Sequence, residues 1–102
     1  MSLIINGNFD EAESRWNFRL AGEIDISNAL QLKKQLETAY AARAADIYIN
    51  VGDLSYIDST GLGIIIGIYG TIHKSGYRIV LLEPKENVKK LLKITNLDKV
   101  LS

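Results

Sequence analysis

The sequence predicts a single α/β domain built on a mixed sheet of four to five strands that opens with an antiparallel hairpin. Three observations predict it. Short alternating β-prone runs and longer amphipathic runs take turns along the chain, in the order strand, strand, helix, strand, helix, strand, helix. The helical runs are long enough to be crossovers, so the strands they join run parallel, whereas a short charged connector joins the first two strands and lets them pair antiparallel. Finally, 102 residues of which 47% are apolar hold one core but not two, so positions 1–102 form one domain.

The first strand covers Leu3 to Asn8 and the second Arg15 to Ala21, with Asp10 to Ser14 as the connector. In the second, Trp16, Phe18 and Leu20 alternate with Asn17, Arg19 and Ala21, the period of a half-buried strand. Gly22-Glu23-Ile24-Asp25 is expected to leave the sheet, and Ser27 to cap a helix from Asn28 to about Ala45. Ala29, Leu32, Leu36, Ala39 and Tyr40 make its inward stripe. Asp46 to Val51 alternates again, placing Ile47, Ile49 and Val51 on one face of a third strand. The run from Thr60 to Ile72 holds four glycines and falls short of the roughly 20 residues that cross a bilayer, so it reads as a buried helix ending near Gly76. A strand from Tyr77 to Leu82 follows. Pro84 separates it from a last helix, about Glu86 to Thr95, whose buried side is Val88, Leu91, Leu92 and Thr95. Leu97, Val100 and Leu101 fold back onto the body.

Composition excludes several classes of function. Lys plus Arg and Asp plus Glu number twelve each, so no overall field draws the chain to nucleic acid or an anionic membrane, and neither is expected as a partner. With no cysteine and a single histidine, His73, neither a sulfur-based zinc site nor a metal cluster is expected, and no cofactor is implied. The opening residues Met1 to Asn6 lack the basic start and apolar length of a signal peptide, which makes the cytoplasm the default setting.

Chemistry concentrates in Asp53 to Gly70, around Asp58-Ser59-Thr60-Gly61-Leu62-Gly63. The switch from polar turn to apolar run reads as a helix start capped by Ser59 or Asp58. A serine there stands at the positive end of a helix dipole, a place that suits an anion and hence a covalently attached phosphate. An esterase reading fails on geometry: no glycine lies two residues before Ser59, and His73 is about 20 Å down the same helix at 1.5 Å per residue. Asp25, Asp53 and Asp58 near strand ends could bind magnesium or act as paired carboxylates, but turn and cap roles are the simpler reading. Gly63, Gly67 and Gly70 lack the lysine and strand-loop context of a phosphate loop. Gly63 and Gly67 share a helix face that could lie close to the sheet or to a partner.

Gly22-Glu23-Ile24-Asp25 and the run Asp53-Leu54-Ser55-Tyr56-Ile57-Asp58-Ser59-Thr60-Gly61-Leu62-Gly63 resemble the two signature stretches of the bacterial anti-sigma-factor antagonists, the STAS-domain family, and the similarity extends over nearly the whole chain. The resemblance implies helices packed chiefly on one side of the sheet and no catalytic activity. It implies regulation of transcription by partner switching, in which the unphosphorylated protein binds an anti-sigma factor that is also a serine kinase and so frees the sigma factor. Phosphorylation maps onto Ser59, with Asp25 near it, and a serine phosphatase would reverse it. Thr60 stands where a second serine is often found, and keeps its hydroxyl. The chain's end at Ser102 implies a short or absent C-terminal helix. The expected contact surface is the loop 53–63, with Asp25, Asp53, Ser55, Asp58, Ser59, Thr60, Gly61 and Leu62 as its partner-binding residues.

Two other readings compete. In a ligand-binding or transporter-regulatory module of the same fold, Ser59 only caps a helix, and a bound small molecule would be found in place of a kinase partner. In a small hydrolase, ester turnover would depend on Ser59; it ranks last because no base serves the serine.

Overall fold

The computed structural model describes residues 2–101 as β1 (Leu3–Asp10), β2 (Arg15–Ile24), α1 (Ala29–Ala42), β3 (Asp46–Ile57), α2 (Ser59–His73), β4 (Ile79–Leu82) and α3 (Glu86–Ile94). The order of elements is the one the sequence predicts, and the expectation that rests on Ser102 lies outside the described residues. A four-stranded sheet runs β1-β2-β3-β4, antiparallel in the first pair and parallel in the next two. On one side Phe18, Leu20, Ile47, Ile49, Val51, Ile79 and Leu81 meet Leu32, Leu36, Ile65, Ile68 and Ile72 of the helices in a single core. The other side is mostly polar, although Val80 is buried there. There Arg15 lies over the Tyr48 ring, 3.9 Å from its centroid, and Arg19 pairs with Asp53 at 2.7 Å.

Several boundaries differ from expectation for identifiable reasons. Gly22 to Ile24 do not leave the sheet: β2 continues to Ile24, opposite Ile57. The register shifts between Gly22 and Glu23, where Gly22 takes φ +105° and a Cβ would lie 2.3 Å from the Ser2 carbonyl oxygen. The extra residue of this bulge is Ser55 on β3, so the ladder shifts opposite Gly22 and β2 continues without ending. For the same reason β3 runs on to Ile57, and 53–57 is strand where a loop was expected. Ser27 caps nothing; α1 begins after Asn28, and its first turn hangs from the Asp25 carbonyl, which accepts from the Ala29 N–H at 2.9 Å. The helix stops at Ala42 because Ala45 must already be buried as the chain enters β3.

α2 is half-buried, unlike the sequence expectation. Gly61, Leu62, Ile65, Ile68 and Ile72 face the core, whereas a Cβ at Gly63, Gly67 or Gly70 would meet nothing within 4 Å. Close packing on the sheet is thus not what those three glycines serve. Gly76, at φ +86°, turns the chain out of the helix. In α3, Val88 and Leu92 are buried, but Thr95 is exposed and its hydroxyl donates to the Leu91 carbonyl at 2.9 Å. Leu101 folds back as expected, buried, with its carbonyl accepting from the Leu81 N–H at 2.8 Å.

Candidate functional site

The parallel strands β2 and β3 end side by side, at Ile24 and Ile57, and each is followed by an aspartate and a helix. The Asp58 N–H donates to the Ile24 carbonyl at 3.2 Å, which clamps the two exits together. Asp58 is extended, at φ −97° and ψ −179°, and its Oδ1 accepts from the Gly61 N–H at 2.9 Å. It is the N-cap of α2. Ser59 therefore becomes the first residue of the helix, exposed, with no hydrogen bond to its hydroxyl among the described residues. Thr60 beside it is exposed as well.

Gly61 and Leu62, expected on the contact surface, point inward instead. A Cβ at Gly61 would lie 2.4 Å from Ile24 Cγ2 and 3.1 Å from Ile57 Cγ1, so only glycine lets α2 land on the two strand ends. Leu62 is part of the core. Together they hold the helix rigidly beneath Ser59, with no surface of their own to offer.

Asp25 opens the neighbouring junction. Its Oδ1 accepts from the Ser27 N–H at 2.9 Å and from the Ser27 hydroxyl, and these bonds hold its carboxyl below the usual carboxylate range. Asn28, nearly buried at 8% exposure, ties the turn to the sheet: its Oδ1 accepts from the Asp25 N–H at 3.0 Å and its Nδ2 donates to the Glu23 carbonyl at 2.9 Å. Sequence reasoning treated Asn28 only as the start of a helix. The signal available was an asparagine just before an apolar periodic run, which also fits a side chain bonding backward to the strand.

Asp53 and Ser55 do not join this group. Asp53 lies on the polar side of the sheet, about 13 Å along the strand from Ile57 at 3.3 Å per residue. Arg19 bonds to it and holds its carboxyl below the ordinary range, with help from the charge of Lys85. The Ser55 hydroxyl donates to the Gly22 carbonyl at 3.0 Å and so stitches the bulge shut. Each of the three acids thus serves a separate hydrogen-bond set. The hydrolase reading also fails in space: α2 is continuous from Ser59 to His73, which stacks on Tyr69 with ring centroids 5.0 Å apart.

What the sequence reading missed are three exposed apolar side chains on the elements that form the two junctions. Ile26 and Leu30, 77% and 71% exposed, flank the start of α1, and Tyr56, 43% exposed, stands two residues before Asp58. Leu30 falls off the inward stripe of α1, and that is how it could have been found.

Comparison with known proteins bears on the family and the fold. The STAS domain family profile matches residues 9–102. The anti-sigma-B factor antagonist of Bacillus subtilis is 34% identical over 97 residues, 95% of this chain and 88% of that protein. The crystal structure of a Thermotoga maritima protein described as a candidate anti-sigma factor antagonist aligns with TM-score 0.87 and 27% identity, over 96% of this chain and 83% of that one. SpoIIAA shares the fold at 24% identity: its unphosphorylated form aligns with TM-score 0.84 over 97% of this chain and 86% of its own, and its phosphorylated form with 0.77 over 97% and 89%.

Proposed function

The chain belongs to the STAS domain family, and on that footing we propose that it works as an anti-sigma factor antagonist, switched by phosphorylation of Ser59. One observation carries the reading: an exposed hydroxyl on the first residue of a firmly seated helix, without a hydrogen bond among the described residues. Ile26, Leu30 and Tyr56 are the apolar part of the docking surface for the anti-sigma factor, and docking excludes water from Ser59. When docked, the protein takes the anti-sigma factor away from its sigma factor, which is then free to direct transcription. The module acts by binding, in the cytoplasm, with no chemistry of its own.

Phosphate on Ser59 adds about −1.5 to −2 charges beside Asp58, at a surface that must lose water on docking. Repulsion and desolvation then both oppose the encounter. The amides at the start of α2 hold the added anion with about 0.3–1 kcal/mol of dipole stabilisation, so the domain stays folded. The kinase in this scheme is the anti-sigma factor itself, and a serine phosphatase acting on phospho-Ser59 restores binding. Asp25 and Asp58 shape the surface around the acceptor, and Thr60 borders it.

Incubation with the cognate kinase and ATP, followed by phosphopeptide mapping, tests the assignment. Label is expected on Ser59 and not on Ser27 or Thr60, and label elsewhere with Ser59 bare would overturn it. By calorimetry, Ser59→Ala is expected to bind the anti-sigma factor like the parent, and Ser59→Asp at least about tenfold more weakly, or 1.4 kcal/mol.

A further inference from the structure

The two edges of the sheet are finished differently. β4 is four residues long, and the Leu101 segment bonds along its outer side through the Leu81 N–H. β1 is eight residues long, bears no charge or proline from Leu3 to Phe9, and pairs with β2 without a bulge along its whole length. Its other side is the free end of the sheet. Natural sheets blunt such edges with lysine, proline or bulges, and β1 has none of these. Ile4 on it is 60% exposed.

Beside this edge lies a cleft of about 410 Å³, between Gly7, Trp16 and Phe18 of the sheet and Gln35, Thr38 and Ala39 of α1. It is open because position 7 carries no side chain. A Cβ there would strike the Phe18 ring, 2.3 Å away, so the ring lies across the glycine and one of its sides borders the cleft.

We propose that β1 is a self-pairing edge, along which a second copy of this chain adds antiparallel to make one eight-stranded sheet. Several observations select a second copy as the occupant. The odd residues Leu3, Ile5, Gly7 and Phe9 pair with Gly22, Leu20, Phe18 and Trp16 on the helix side, and the even residues Ile4, Asn6 and Asn8 lie on the polar side. Antiparallel self-pairing centred on Asn6 or on Gly7 keeps those two sets apart, and it brings Ile5 of the second copy opposite or diagonal to the Gly7 cleft. The Asp10 carboxylates fall at opposite ends of the paired strands, about 20 Å or more apart at 3.4 Å per residue, beyond the roughly 8 Å screening length of physiological salt. Assembly also closes at two. The pairing uses the open edge of each copy, and the far edges are those already covered by Leu101.

The size of the contact sets its strength. An edge about 27 Å long and about 20 Å deep, counting the helix layer, offers roughly 500 Å² per copy, against about 800 Å² in a standard stable interface. Association is therefore weak and concentration-dependent.

Sedimentation velocity of the full chain from about 5 to 500 µM tests this. The mass is expected to climb from one copy toward two, and a single monomeric species at 500 µM would overturn the proposal. Asn6→Lys combined with Asn8→Lys places lysine against lysine in either register, at two exposed positions that leave the core untouched. This variant is expected to stay monomeric over the whole range while still melting cooperatively, and a dimer as strong as the parent's would count against the proposal. Because the chain has no cysteine, Asn6→Cys takes a single spin label. An inter-label distance under about 20 Å, a few strand spacings, is expected. A dimer with labels more than about 30 Å apart would place the contact elsewhere and refute β1 pairing.

Discussion

The two strand-to-helix junctions start from the same letters and finish with opposite properties. Ile24-Asp25 leads into α1 and Ile57-Asp58 into α2, and the two isoleucines are partners in the sheet. At the first, serine comes two residues after the aspartate, and the carboxylate takes both its N–H and its hydroxyl. At the second, serine follows immediately, and the carboxylate reaches over it to the Gly61 N–H. One residue of displacement decides whether a serine is consumed by its own turn or presented to solvent. The first junction is held by Asn28, the second by contact of Gly61 with Ile24 and Ile57. The molecule thus has one closed junction and one open junction, joined by the Asp58 to Ile24 bond.

The largest expected effect breaks the closed side. Asn28→Ala strands the Asp25 N–H and the Glu23 carbonyl at a nearly buried site, costing about 3 kcal/mol and lowering the urea midpoint without changing the slope. On the open side, Gly61→Ala forces a methyl group against Ile24 and should cost about 2 kcal/mol. Gly63→Ala, two residues on and facing open space, should instead gain up to about 1 kcal/mol. Thermal melts would therefore move in opposite directions, by about 4–8 °C per kcal/mol in a domain of this size. Equal shifts for both would mean that the contact beneath Ser59 is not as described.

Asp58→Ala removes the cap and should cost about 1 kcal/mol, measurable by the same melts, with Asp58→Asn recovering most of it. The smallest effect lies in the Ser27–Asp25 pair. Its bonds depress the Asp25 carboxyl in the folded chain, so their contribution is present above the unfolded carboxylate value of about 3.9 and is lost as pH falls through the folded one. Carboxyl NMR titration should show the Asp25 midpoint rising in Ser27→Ala, with overall stability little changed. An unmoved midpoint would remove the contrast between the two serines.

Periodicity, element order and crossover length determined the antiparallel and parallel sense of the sheet's pairings and the inward faces of Leu32, Leu36, Ile47 and Ile49, because these follow from local pattern and chain connectivity alone. The helix start at Asp58-Ser59 was also legible, since capping depends on residues three apart. Tertiary structure decided the rest. The bulge at Ser55, opposite Gly22, exists only because Ser2 and β3 lie where they do, so the continuation of β2 to Ile24 could not be read from a glycine followed by charges. The same sequence signal, glycine in an apolar helix, gave Gly61 a packed environment and Gly63 an open one. Asp53, which looked like a member of the site, was claimed by Arg19, 34 positions earlier in the chain. Which groups meet across such separations depends on how strands register and helices seat, and that information is shared among residues far apart in the chain.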